Sequence, residues 1–107
     1  MAARVLPEAR DDLRRALRYY RDVKPPALGK QLAARVMKAF REAVDLIVAM
    51  PLSRPEHPAI PRARYVMLGT FPYLVFYTVV DRDDVVVVAV EYATRDYVDR
   101  IRTRAAR

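Results

Sequence analysis

The stretch Pro51-Leu52-Ser53-Arg54-Pro55-Glu56-His57-Pro58-Ala59-Ile60-Pro61 constrains this chain more than any other, because four of its eleven residues are proline. Proline lacks a backbone N–H and fixes φ, so the segment carries neither regular helix nor a central strand. It reads as an ordered surface loop dividing two unlike halves. Before it, apolar residues recur every three or four positions; after it, they fall in short alternating or continuous runs bounded by turn residues.

In the first half, Ala3 to Leu6 reads as a short edge strand. Pro7-Glu8 opens a helix, since proline is tolerated in the first turn and an acidic group suits the helix N-terminus. Ala9, Leu13, Ala16, Leu17 and Tyr20 share one face, with Tyr19 at its border, and Arg10, Asp11, Arg14, Arg15, Arg18 and Arg21 lie largely on the other. Arg15 follows Asp11 by four residues, the spacing of a helix-surface ion pair. Lys24-Pro25-Pro26 interrupts the pattern, which resumes from Ala27 to about Met50 through Leu28, Leu32, Val36, Phe40, Ala43, Val44 and Ile47. So short a connection predicts an antiparallel helical hairpin whose apolar face lies on a sheet.

The second half reads as a meander. Ala63 to Leu68 is a strand with Arg64, Val66 and Leu68 on one face and Tyr65 and Met67 on the other. Gly69-Thr70 turns the chain, Tyr73 to Val80 forms the next strand, and Asp81 to Asp84 is a polar turn. The third strand runs from Val85 to Tyr92; its four consecutive valines predict burial on both faces and a central place in the sheet. Thr94 is the expected N-cap of a short helix from Arg95 to about Ala105, with Val98, Ile101 and Ala105 inward and Arg100, Arg102, Arg104 and Arg107 supplying charge. The expected class is α+β. A short N-terminal strand and a helical hairpin pack on a mainly antiparallel sheet of three to four strands, and a short helix closes the chain, all in one domain over residues 1–107.

Charge narrows the partners. The net charge is +7, and three lysines among 20 basic residues leave seventeen arginines. Arginine suits bidentate contact with phosphate and carboxylate, so a nucleic acid or an acidic protein fits. The basic helical face of Arg14, Arg18, Arg21, Lys30, Arg35, Lys38 and Arg41 is either solvated surface or such a contact. With one histidine and no cysteine, neither a metal site nor a disulfide is expected, and no cofactor loop is present. No apolar run is long enough to span a bilayer. With no signal-peptide stretch, the expected location is cytoplasmic. His57 is read as a solvent-facing loop residue, and Phe71, Tyr73, Phe76 and Tyr77 as core.

The order of elements and three local patterns resemble the RelE/ParE superfamily of type II toxins, and its ParE branch in particular. Ala9, Asp12 and Leu13 fill an opening A-x-x-D-L on the first helix. Leu46 to Pro51 closes the second helix as in that family. Arg64 to Tyr77 matches a stretch with Phe-Pro-Tyr at Phe71-Pro72-Tyr73. After the third strand Arg95-Asp96 matches, whereas Tyr92 stands where the family carries His. RelE-type nucleases tend to have Tyr-Arg where this chain has Pro72-Tyr73.

The resemblance implies a toxin that inhibits DNA gyrase by protein–protein binding and is held in a heteromeric complex by a cognate antitoxin. The alternatives are a ribosome-dependent mRNA endoribonuclease and a degenerate module that only binds antitoxin. Arg14, Arg18, Tyr73, Tyr92, Arg95 and Arg100 are the expected binding residues. On the ribonuclease alternative, Arg64 and Arg95 would stabilise phosphate charge and Tyr97 would handle a proton.

Overall fold

The computed structural model describes residues 2–81, 84–94 and 96–106. Its elements run β1 (Ala2–Val5), α1 (Pro7–Arg21), α2 (Pro26–Ala49), β2 (Arg64–Leu68), β3 (Phe71–Val79), β4 (Asp84–Tyr92) and α3 (Val98–Ala105). The strands form one sheet in the order β1-β4-β3-β2. β1 runs parallel to β4, and the other two pairings are antiparallel. This is the expected α+β architecture, and the valine-rich strand is central.

Two cores sandwich the sheet. On one face, Ala9 and Leu13 of α1 and Val36, Phe40, Ala43 and Ile47 of α2 pack on Val66, Leu68, Val75, Tyr77, Val85 and Val87. On the other, Ile101 and Ala105 of α3 join Ile60 and Ala63 of the proline-rich loop over Leu74, Phe76, Val86 and Val88. Alternate valines of β4 thus serve opposite cores, so one strand is apolar on both faces.

The register of β4 contains one irregularity. Phe76 pairs with Ala89 but Tyr77 pairs with Val87, leaving Val88 as an extra residue on β4. This bulge returns Val90 to the helical face and pairs Tyr92 with Tyr73.

Gly29 packs against the end of α1, and its N–H donates to Pro25 O after a cis Lys24–Pro25 bond. A Cβ there would lie 2.1 Å from Arg21 O and 2.6 Å from Val23 O, so only glycine fits against the end of α1. Gly69 turns β2 into β3 at φ 57°, a left-handed conformation that glycine adopts without strain.

Several local expectations are corrected. The last helix begins at Val98 rather than Arg95, and its N-cap position is Tyr97 with no side-chain cap, so Thr94 does not cap it. Arg104 is not a solvated charge but is 9% exposed. Asp11 pairs with Arg14 rather than Arg15, which turns to Asp12. His57 is half-buried: its Nδ1 accepts the Ala59 N–H at 3.0 Å, and its ring meets Tyr65, Phe76 and Tyr97. The proline-rich loop is ordered, as expected, and is anchored with Ile60 fully buried, His57 N–H donating to Ala63 O, and Tyr77 Oη donating to Pro51 O at 2.7 Å.

Candidate functional site

β1 pairs with only the first half of β4, residues 84–87. Beyond it the edge of β4 has no strand beside it, and unpaired buried backbone groups there would be costly. Side chains replace the missing strand. Asp12 of α1, 3% exposed, accepts the Val90 N–H at 3.1 Å. Its Oδ2 also accepts from Arg104 Nη1 at 2.6 Å, and the same Nη1 donates to Val88 O at 3.1 Å. One ion pair therefore satisfies the strand edge and ties α1, β4 and α3 together.

Next to this clasp a groove of about 480 Å³ opens between α1 and the end of β4. Arg15, Arg18, Tyr19 and Asp22 form its α1 wall, Tyr73 and Val90 to Tyr92 its floor, and Arg100 of α3 its far rim. A second hollow of about 290 Å³, lined by Tyr19, Tyr73, Tyr92 and Thr94, adjoins it. The tyrosines are fixed by ring packing: Tyr73 meets Tyr92 edge-on at 5.4 Å, and Tyr20 bridges Tyr19 to Phe71 and Tyr73. Burial pushes the Tyr20 hydroxyl above the usual tyrosine value, with Tyr73, Tyr19 and Tyr92 adding to it, so Tyr20 stays neutral.

The charges of the groove are largely matched. Arg100 Nη2 donates to Glu91 Oε2 at 2.6 Å, and that hydrogen bond raises the guanidinium's pKa above its ordinary value. Arg15 pairs with Asp12, whereas Arg18 has no ion-pair partner among the described residues. The result is a rigid aromatic wall with one uncommitted guanidinium. Such a surface grips an amphipathic protein segment at low entropic cost, because each tyrosine has few rotamers to lose.

Four of the sequence-expected binding residues meet here: Arg18, Tyr73, Tyr92 and Arg100. Arg14 does not line the groove and is bonded to Asp11 at 2.7 Å. Arg95 lies outside the described residues. Arg64 and Tyr97 stand on opposite faces of the sheet. Arg64 alternates with Val66 on the helical side and donates to Arg54 O, whereas Tyr97 packs with Phe76 in the α3 core. Tyr97 Oη lies 3.5 Å from His57 Nε2, and burial raises its pKa, with Tyr65 and Glu91 adding.

Asp12, Tyr19, Glu91 and Arg104 were missed as site residues. The signal for two of them was present, since Asp12 lies on the apolar stripe of α1 and Glu91 interrupts an apolar strand. A buried carboxylate demands a partner, but nothing local says that Arg104 and Arg100 supply it. Among the described residues no cluster of three or more His, Asp or Glu could hold a metal ion. No described helix is long and apolar enough to cross a membrane.

The family model for the ParE toxin of the type II toxin–antitoxin system, parDE, matches residues 3–97, from β1 through the groove to the start of α3. The chain belongs to the ParE toxin family. No curated protein matches this ParE-family chain. Among solved structures, a chain of the chromosomal ParDE TA system from P. aeruginosa is similar at TM-score 0.67 and 13% identity, covering 86% of this chain and 95% of that one. At that identity the likeness concerns the fold. Family and fold together make this a ParE-like toxin of the type II class.

Proposed function

We propose that this ParE-family toxin inhibits DNA gyrase by protein–protein binding in the cytoplasm, and that a cognate antitoxin neutralises it by laying an acidic segment in the tyrosine-walled groove. The observation that carries the reading is the convergence of Arg18, Tyr73, Tyr92 and Arg100 on one groove in a chain of this family. Tyrosine and arginine are the residue types that most often dominate protein interfaces. The similar P. aeruginosa chain comes from a ParDE system, which supports a paired antitoxin here.

The test is a gyrase supercoiling assay with the purified chain, with and without the protein encoded by the neighbouring reading frame. Inhibition relieved by that partner is expected; no inhibition at large molar excess overturns the gyrase assignment. Tyr92→Ala and Arg18→Ala should each weaken antitoxin binding about tenfold or more, the loss of a hot-spot contact of roughly 1.4 kcal/mol or above. Unchanged affinity in both variants moves the antitoxin site elsewhere. The ribonuclease alternative has less support, because Arg64 and Tyr97 do not share a face. Arg64→Ala would have to abolish cleavage of ribosome-bound mRNA for it to stand. Unimpaired growth on strong induction without antitoxin would instead favour an inactive antitoxin-binding module.

A further inference from the structure

The outer surface of the helical hairpin is a second charged region, which shares only Arg18 with the groove. Both helices bury one stripe: Ala9, Asp12, Leu13 and Ala16 on α1, and Gly29, Ala33, Val36, Phe40, Ala43 and Ile47 on α2. At about 100° per residue, Arg14, Arg18 and Arg21 fall opposite the α1 stripe, and Lys30, Lys38 and Arg41 fall away from the α2 stripe. All six are exposed. Asp11, bonded to Arg14, together with the exposed Asp22, Glu42 and Asp45 are the acidic residues on or beside this face. Apart from Arg14, none of the six has an ion-pair partner among the described residues.

Two properties of this face choose its partner. First, it lacks an apolar centre. The exposed leucines of α2, Leu28 and Leu46, lie on its other flank, the side from which Ala39 reaches the Gly69 turn. Protein interfaces need a desolvated apolar or aromatic core inside a polar rim, and here the aromatics belong to the groove. Second, the cations form two rows on adjacent antiparallel helices, whose axes pack about 8–10 Å apart. The α1 row is about 10 Å long and the α2 row about 16 Å, at 1.5 Å per residue. With a phosphate every 3.4 Å or so along each strand, those rows cover roughly three and five phosphates. The separation suits two strands flanking the narrow minor groove of B-form DNA better than the wide minor groove of duplex RNA.

We infer that the outer face of the α1–α2 hairpin binds the phosphate backbone of duplex DNA, without reading its sequence. This does not depend on the gyrase assignment, and it gives the +7 charge a function distinct from antitoxin binding. The contact is electrostatic, so its affinity falls steeply with salt, by about 0.9 in log K per log salt for each phosphate neutralised.

The test is fluorescence anisotropy of the full chain with a mixed-sequence 20-base-pair DNA duplex across a salt series. Six contacts give an expected slope of about −5. The triple variant Lys30→Gln, Lys38→Gln, Arg41→Gln should lower the slope magnitude by about 2.7, three phosphates' worth, and weaken binding at least tenfold. A control triple, Arg4→Gln, Arg54→Gln, Arg62→Gln, removes the same charge elsewhere and should leave the slope within about 1 of the parent. Circular dichroism checks that both triples fold; if the hairpin triple does not, Lys38→Gln alone, expected to lower the slope by about 0.9, is the readout. Equal losses in the two triples would overturn the proposal, leaving net charge as the cause. So would a parent slope shallower than about −2, tighter binding to duplex RNA, or a polyglutamate peptide bound as tightly as DNA.

Discussion

Replacing Asp12 by alanine should be among the most damaging single changes outside the aliphatic core. The Asp12 side chain is 1% exposed and the Arg104 side chain 10%, and their oxygen and nitrogen lie 2.6 Å apart. Removing one member of a buried pair strands the other charge, which costs about 3–5 kcal/mol. Asp12 also accepts the Val90 N–H, and orphaning a buried donor costs about 1–3 kcal/mol. The two losses share solvent that can enter the same gap, so a combined cost near 4–6 kcal/mol is expected. A domain of this size has roughly 5–15 kcal/mol of stability in all. Urea unfolding followed by circular dichroism should therefore show Asp12→Ala unfolded or nearly so at low denaturant. The companion variant Asp12→Ala with Arg104→Met removes both charges and should recover about 2–4 kcal/mol, leaving mainly the Val90 term. If the single change costs less than about 1 kcal/mol, or the double is no more stable than the single, the Asp12–Arg104 pair does not hold α1, β4 and α3 together.

Two further outcomes follow from single close contacts. Gly29→Ala sets a Cβ against Arg21 O at 2.1 Å. It should cost at least about 2 kcal/mol despite alanine's roughly 1 kcal/mol better helix propensity, and an unchanged or raised melting temperature would contradict the close helix approach. The Tyr77 hydroxyl, whose pKa burial raises, donates to Pro51 O. Since the folded pKa exceeds the unfolded one, stability is full below the ordinary tyrosine range and falls as pH rises through the folded value. Tyr77→Phe should cost about 1 kcal/mol at neutral pH and reduce that alkaline loss, which unfolding curves at neutral and strongly alkaline pH would reveal.

The elements and their layering were legible in the sequence because they are written locally. The three-to-four spacing from Ala9 to Tyr20, the proline-rich break and the valine run each carry their own periodicity. What escaped was set by distant partners. Arg104 looks like one more solvated arginine of a basic tail, and only the fold brings it to Asp12, 92 residues away. His57 looks exposed between Glu56 and Pro58, and only the fold brings the rings of Tyr65, Phe76 and Tyr97 around it. The groove was half legible: Arg18, Tyr73, Tyr92 and Arg100 were named, but their convergence depends on the end of β4, whose facing alternation alone does not predict. Thr94 is a sound N-cap by type, yet the helix starts four residues later, so preference for a cap did not decide the boundary.

The extra residue at Val88 makes β4 two strands in different phase joined end to end. In the first stretch Val85 and Val87 look toward the helices; in the second, Val90 and Tyr92 do. Valine is acceptable on either side of a sheet covered on both faces, so the run conceals the step and lets it move without disturbing either core. The phase error is absorbed where it is harmless and delivered where it matters. A strand one residue shorter at this point would set Val87 and Ala89 side by side opposite Tyr77 and Phe76, losing the bulge while keeping both the partnership with β1 and the place of Tyr92 opposite Tyr73. The bulge is thus one residue of slack in the valine run, and a one-residue deletion there should spare the binding surface along with most of the hydrophobic interior.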